Sequence, residues 1–322
     1  MSSKSGSSSY TVPSEPIKFL FELTIFFILL VPSIVWAGVK NIIPAKQKSA
    51  KGHVIVITGA ARGLGRELAL QFHKLGAKIA CVDVDEAGNI ETAKLITEQN
   101  GIAKSYKVDV SNREQIKKMH ESVQTDLGPV DMVINNAGLV WGHSYINPEK
   151  DQFITDLINV NLLGQFWMNR EILPSMLKRN SGHIVAMSSL SSMDGVPGIS
   201  SYTASKWGVN GSMECLDNEL RRLNSAVVTS TVLPYFVETN PKVTEKLDLR
   251  FPEIPTKIAC KLIINGILEN RRIFSVPGHL YSTMAFARLL PDNMYRLFKK
   301  ITFVNVLPDP KDQEILDTYQ IR

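Results

Sequence analysis

Cysteine is scarce in this 322-residue chain: Cys81, Cys215 and Cys260 stand far apart, without metal-ligand spacing. So sparse and odd a count excludes a disulfide framework and fits a reducing compartment, where such residues serve as small apolar fillers. No basic run with interleaved aromatics occurs, which makes nucleic acid the weakest reading of the +5 net charge. An anionic membrane surface or a phosphate-bearing cofactor fits that charge better. Internal repeats and long linkers are also missing. With 44% hydrophobic and 21% charged residues, wholesale disorder is excluded. The length suits one large α/β domain with short appendages. Asn210-Gly211-Ser212 matches a glycosylation acceptor by chance, since it falls inside a predicted helix.

What is present begins with a contrast. Residues 1–16 are rich in Ser and Gly and are expected to be disordered, whereas residues 17–40 read as a membrane anchor. Leu23 to Val39 carries no charge. That is borderline for spanning a bilayer, ample for embedding in one, and expected to kink at Pro32. Val35-Trp36-Ala37 resembles a cleavage site, but the region before it is barely basic, which favours an uncleaved anchor. Residues 41–51 form a basic linker, and Lys40 at the end of the anchor together with Lys46, Lys48 and Lys51 places the following domain on the cytosolic side.

From Gly52 onward, short apolar β-rich runs alternate with helical segments. Strands are predicted at 54–58, 78–82, 105–108, 131–135, 183–188, 226–233 and 273–276. Continuous apolar strands between helices predict a doubly wound parallel sheet, a Rossmann fold, in one domain over residues 52–278. Residues 279–322 are then a membrane-contacting, lid or dimer element.

The first strand ends in Thr58-Gly59-Ala60-Ala61-Arg62-Gly63-Leu64-Gly65 and runs into a helix. Gly59, Gly63 and Gly65 let backbone N–H groups, including that of Leu64, approach a pyrophosphate at a helix N-terminus. Asp83 ends the second strand and is placed to accept from an adenosine ribose, which favours NAD. Arg62 could attract a 2′-phosphate, which keeps NADP as the alternative. Asp109-Val110 is a candidate adenine contact or a solvated strand end. In Asn135-Asn136-Ala137-Gly138 the side-chain amides can satisfy neighbouring strand backbones where the chain passes the cofactor.

Tyr202 and Lys206 lie four residues apart, on one face of a helix. A phenol near Lys and a positive nicotinamide can lose or share its proton and act as acid and base. Ser189, thirteen residues earlier, can hold the substrate oxygen, although Ser188 and Ser191 are close by. Asn161 interrupts a helical pattern and can hold a water that links Lys206 to solvent; alone it would pass as an ordinary helical Asn.

These residues, in this order and spacing, resemble the short-chain dehydrogenase/reductase family over Lys51 to Pro277. The resemblance implies a catalytic tetrad of Asn161, Ser189, Tyr202 and Lys206. It further implies nicotinamide contacts from Pro234, Val237 and Thr239, and a homodimer. Pro234-Tyr235 departs from the family's Pro-Gly and reshapes the pocket wall. The apolar N-terminus, Ile42 to Ser49, and Leu289-Leu290-Pro291 resemble membrane and lipid-droplet retinol and 17-beta-hydroxysteroid dehydrogenases. This implies a retinoid or steroid-like substrate, retinol ahead of hydroxysteroid, at the endoplasmic reticulum or a lipid droplet. Substrate contacts are expected from Ser189, Trp141, Met193, Tyr235 and Phe236, with His143 at the pocket rim and no metal. A catalytically idle membrane scaffold is the rival reading, and the intact tetrad counts against it.

Overall fold

The computed structural model describes residues 15–42, 46–140, 142–239 and 244–319, with the side chains of the first stretch described as far as residue 33. The expected disorder of residues 1–14, and Trp141, lie outside this set. The chain divides into two bodies, residues 1–46 and residues 47–322.

The first body holds helix α1 (Pro16–Ile42), which runs unbroken through Pro32 for 27 residues. At about 1.5 Å per residue such a helix is about 40 Å long. Its window Pro16–Ser33 has a mean hydropathy of 1.8 and buries none of its side chains. Among the described residues it is the one helix long and apolar enough to cross a membrane.

The second body is built on seven parallel strands: β1 (Val54–Thr58), β2 (Lys78–Asp83), β3 (Ala103–Lys107), β4 (Met132–Asn135), β5 (His183–Met187), β6 (Val228–Pro234) and β7 (Ile273–Val276). Their order across the sheet is β7-β6-β5-β4-β1-β2-β3. The period-2 geometry of a strand sends Ile55 and Ile57 to one face and Val54 and Val56 to the other. Helices α2 (Gly63–Lys74) and α3 (Glu86–Thr97) cover the sheet in the first half; α4 (Arg113–Asp126), α5 (Asp151–Ile158), α6 (Gly164–Arg179) and α7 (Ser200–Arg222) come next, then α8 (Thr256–Leu268). Leu68, Phe72 and Ile263 pack on the first face, and Ile116, Met168, Ile172 and Val209 on the second. Each such side chain, fully buried, contributes about 1.5–3 kcal/mol. Strand β3 starts two residues before the predicted Ser105. It is the sheet's edge, and Lys104 and Lys107, both exposed there, blur its apolar pattern while guarding that edge.

Strand order reverses between β1 and β4, so a crevice opens at the C-terminal ends of these strands. The chain finishes with α9 (His279–Ala287), α10 (Asp292–Ile301), a short strand Val304–Val306 and α11 (Pro310–Thr318). Val304–Val306 pairs antiparallel with Leu247–Leu249, which ties this segment into the same body as the sheet. Lys48, which the sequence places in the basic linker, also belongs to that body, with Nζ 2.6 Å from His183 Nδ1.

Candidate active site

The glycine turn after β1 is shaped by close approach. A Cβ on Gly65 would stand 1.9 Å from the Gly59 carbonyl oxygen, and one on Gly59 would stand 2.9 Å from Ala137 Cα. Gly59 also has φ +69, in the left-handed region. The turn is stapled to β4 from beneath. Thr58 Oγ1 accepts from the N–H groups of Asn136 and Ala137, each at 2.9 Å, and Asn136 Nδ2 donates to the Thr58 carbonyl at 2.9 Å. Helix α2 begins at Gly63 with no side-chain cap from Arg62, which is exposed. Its first-turn N–H groups therefore lack a side-chain cap, the arrangement that leaves a helix start open to an anion. Thr239 lies against Gly63, at 3.4 Å from a Cβ built there, so the segment after β6 reaches the same turn.

Asp83, half-buried at the end of β2, accepts from Ala61 N and Asp85 N, each at 2.9 Å. Those bonds fix its carboxylate beside the glycine turn, with lone pairs left for a ribose. Asp109 accepts from the Ser111 N–H and hydroxyl at 2.9 and 2.7 Å, closing a local turn. Val110 packs against Gly164. A glycine cradle, an uncapped helix start and an oriented carboxylate together fit a dinucleotide.

The candidate reactive cluster sits on α7 and just past the end of β5. Tyr202 is in the first turn of α7, and Lys206 comes one turn later with Nζ 5.5 Å from the phenol ring centroid. Lys206 is 4% exposed, and Nζ donates to the Met187 carbonyl at 2.8 Å. Burial pushes its pKa down to about 8. Burial likewise pushes the Tyr202 phenol above its ordinary value, while a hydrogen bond from Ser189 works the other way. The three serines separate cleanly. Ser188 Oγ donates to the Lys206 carbonyl at 3.1 Å and is structural, Ser189 meets the phenol, and Ser191 is buried beyond it.

Asn161 is 0% exposed and lies in a π turn, Asn159–Leu163, between α5 and α6. Its amide clamps the loop after β4, accepting from Leu139 N at 2.7 Å and donating to Leu139 O at 3.0 Å and Ser205 Oγ at 3.2 Å. These bonds hold Asn161 against Leu139 and against Ser205, the residue beside Lys206.

The substrate side departs further from expectation. His143 is not at a pocket rim: it is 2% exposed, with Nε2 2.8 Å from Ser201 Oγ and Nδ1 3.0 Å from the Ser144 carbonyl. A polar ring flanked by two hydrogen-bonding partners packs inward, and Phe153 meets it edge-on. Met193 lines a cavity of about 430 Å³ with Trp207, Asn210 and Arg288, and Tyr202 is not among its lining residues. Tyr235 and Phe236 stack edge-to-face at 5.1 Å, and the Tyr235 hydroxyl donates to the Phe251 carbonyl at 3.1 Å. Pro234 ends β6, and Val237 pairs with Ile254 across a short ribbon. One buried group escaped sequence reasoning: Asp312, 0% exposed, accepts from Ser144 N at 3.0 Å and from Asn147 Nδ2 at 2.6 Å.

A switch-point crevice with a dinucleotide cradle beside a Tyr–Lys pair defines a nicotinamide-dependent oxidoreductase. The short chain dehydrogenase model matches residues 53–248, and the chain belongs to that family. It is an NAD(P)-dependent alcohol dehydrogenase. Human 17-beta-hydroxysteroid dehydrogenase 13 is 32% identical over 88% of this chain and 94% of its own. Mouse epidermal retinol dehydrogenase 2 is 32% identical over 86% of this chain and 91% of its own. A solved short-chain dehydrogenase/reductase from Burkholderia phymatum, in complex with NAD, superimposes with a TM-score of 0.69 at 25% identity. That match covers 75% of this chain and 95% of the other.

Proposed function

We propose that this enzyme interconverts a lipid alcohol and its carbonyl, with Tyr202 as the acid and base of the reaction. The observation that supports this is the clustering of Tyr202, Lys206 and Ser189 past the C-terminal end of β5, the same edge of the parallel sheet from which the glycine turn leaves β1. In the oxidative direction Ser189 holds the substrate oxygen and Tyr202 Oη takes the hydroxyl proton. The Lys206 ammonium, one turn away, stabilises the phenolate that accepts it. A bound nicotinamide dinucleotide supplies the hydride acceptor. The α2 N-terminus and the Gly59, Gly63 and Gly65 cradle would hold its pyrophosphate, Asp83 its adenosine ribose, and Thr239 and Pro234 the nicotinamide side. Asp83 beside that ribose repels a 2′-phosphate, which supports NAD over NADP.

A retinoid ahead of a hydroxysteroid is the proposed substrate. Apolar Tyr235 and Phe236, helix α1 and the names of the relatives support a lipid; the 17-beta-hydroxysteroid dehydrogenases keep the steroid as second reading. Helix α1 would place the enzyme on the endoplasmic reticulum or a lipid droplet with the sheet domain in the cytosol. The test supplies all-trans-retinol and estradiol in turn to the membrane-bound protein with NAD or NADP, beside Tyr202→Phe. Retinol turnover with NAD that vanishes in the variant supports the whole reading. Steroid-only turnover changes the substrate and keeps the chemistry, and undiminished turnover in Tyr202→Phe overturns the role of the tyrosine.

A further inference from the structure

Helix α7 starts without help from its own sequence. Ile199 supplies no side-chain cap, and Ser200, Ser201 and Tyr202 form the first turn. An uncapped first turn frays readily, so the position of the phenol depends on what holds Ser201 from outside. That support is His143. Its ring stands against the Ser144 carbonyl on one side, which assigns the proton to Nδ1 and leaves Nε2 to accept from Ser201 Oγ at 2.8 Å. The His143 N–H also donates to the Gly198 carbonyl at 2.7 Å, just before the helix.

The loop carrying His143 is in turn held by the far end of the chain. Asp312, in the first turn of α11, takes the Ser144 N–H and the Asn147 amide, across 168 and 165 residues of sequence. A buried carboxylate is costly without such donors. Val306 packs on both Gly142 and Gly198, at 2.9 and 3.5 Å from a Cβ built on each. The Asp309 carboxylate is bridged to Lys246 beside the paired strand. A second grip falls on the loop after β5, where the Tyr295 hydroxyl and Lys299 Nζ donate to Asp194 at 2.7 and 2.9 Å. A segment serving only to finish the chain would have no need to seize both loops beside one tyrosine.

We propose that residues 304–312 form a clasp whose Asp312 is a positioning residue for Tyr202, acting through Ser144, His143 and Ser201. The inference rests on the reading of Tyr202 as acid and base, and the test separates the two. Turnover of all-trans-retinol and of estradiol, cofactor affinity and thermal midpoint are measured for Tyr202→Phe, Asp312→Ala, Ser201→Ala, the double variant Asp312→Ala/Ser201→Ala, and Asn147→Asp/Asp312→Asn. The clasp predicts that Asp312→Ala and Ser201→Ala each lower kcat by about ten-fold, with cofactor affinity unchanged. Their double variant falls no further than the lower single, since both break one path. In Asn147→Asp/Asp312→Asn, the new Asn accepts from Ser144 N–H and donates to the new Asp, so kcat recovers. Full activity in Tyr202→Phe overturns the reading beneath the proposal. An inactive Tyr202→Phe beside wild-type kcat in Ser201→Ala overturns the clasp alone, and does so even if Asp312→Ala fails to fold. Additive losses with weakened cofactor binding also overturn it, because they mark general loosening.

Discussion

Strand β5 meets a lysine at each end, half-buried Lys48 and buried Lys206, and the two ends do opposite things. At its start, Lys48 Nζ meets His183 Nδ1, His183 Nε2 lies 2.9 Å from Ser230 Oγ, and that hydroxyl donates to the Arg271 carbonyl at 2.6 Å. At its finish, Lys206 Nζ donates to the Met187 carbonyl beneath Tyr202. Burial lowers the pKa of both lysines to about 8. Burial, then the Lys48 charge, also holds His183 well below the ordinary histidine value. A perturbed lysine therefore marks burial and no more. At the start of the strand the protons run in a closed chain ending on a backbone carbonyl. At the finish Lys206 also ends on a backbone carbonyl, but its Nζ stands 5.5 Å from the Tyr202 ring, at the sheet edge that carries the glycine turn after β1. Topology, and not the shift, separates a brace from a reaction centre.

The sharpest way to break this contrast is at the two ends themselves. Tyr202→Phe is expected to lower kcat by about a thousandfold with cofactor binding intact, whereas Lys48→Met stays within about twofold of wild type. Cofactor-dependent turnover and equilibrium binding check both; a large loss in Lys48→Met would erase the distinction. Gly65→Ala drives a Cβ into the Gly59 carbonyl and should cost about 3 kcal/mol, read as a roughly hundredfold weaker cofactor affinity by titration. His183→Ala, at the quiet end, should lower unfolding free energy by about 2 kcal/mol in urea while leaving kcat alone. Asp83→Ser should move the ratio of NAD to NADP efficiency toward NADP by about ten-fold in steady-state kinetics.

The smallest effect concerns pH. A lysine held at about 8 when folded and 10.5 when unfolded leaves the unfolded chain with more bound protons between those values. Stability from that group therefore rises with pH across that window. Below about 8 both states are protonated and the contribution is flat. Lys206 contributes a rise of the same sign, so Lys48→Met should reduce the rise in urea midpoints across pH without abolishing it. The decline in turnover above about 8, where Lys206 sheds its charge, should remain.

Much of this was legible because it is local. The apolar runs of β1, β4 and β5, the glycine turn and the Tyr202–Lys206 spacing each state their own geometry within a few residues. Ser189 could be separated from Ser188 and Ser191 only by spacing until their partners were seen. Asn161 stood out as a break in a helix, but its bonds to Leu139 cross from another element. His143 looked like a rim residue because its loop is apolar and its partner Ser201 lies 58 residues away. Asp312 gave no signal: in a charged C-terminal helix, one Asp resembles its solvated neighbours. Lys48 read as linker charge for the same reason, since burial against His183 is a tertiary fact.

The π turn at Asn159–Leu163 makes α5 and α6 one rod cut in two phases. Each residue added to a helix rotates the remainder of the rod by about 100°. Regularising the turn by deleting one residue would tidy the backbone while spinning one half against the other. Either Asn161 would swing off Leu139, or Met168 and Ile172 would leave the sheet. The irregularity is thus a phase correction that lets a single rod satisfy two neighbours with incompatible bearings.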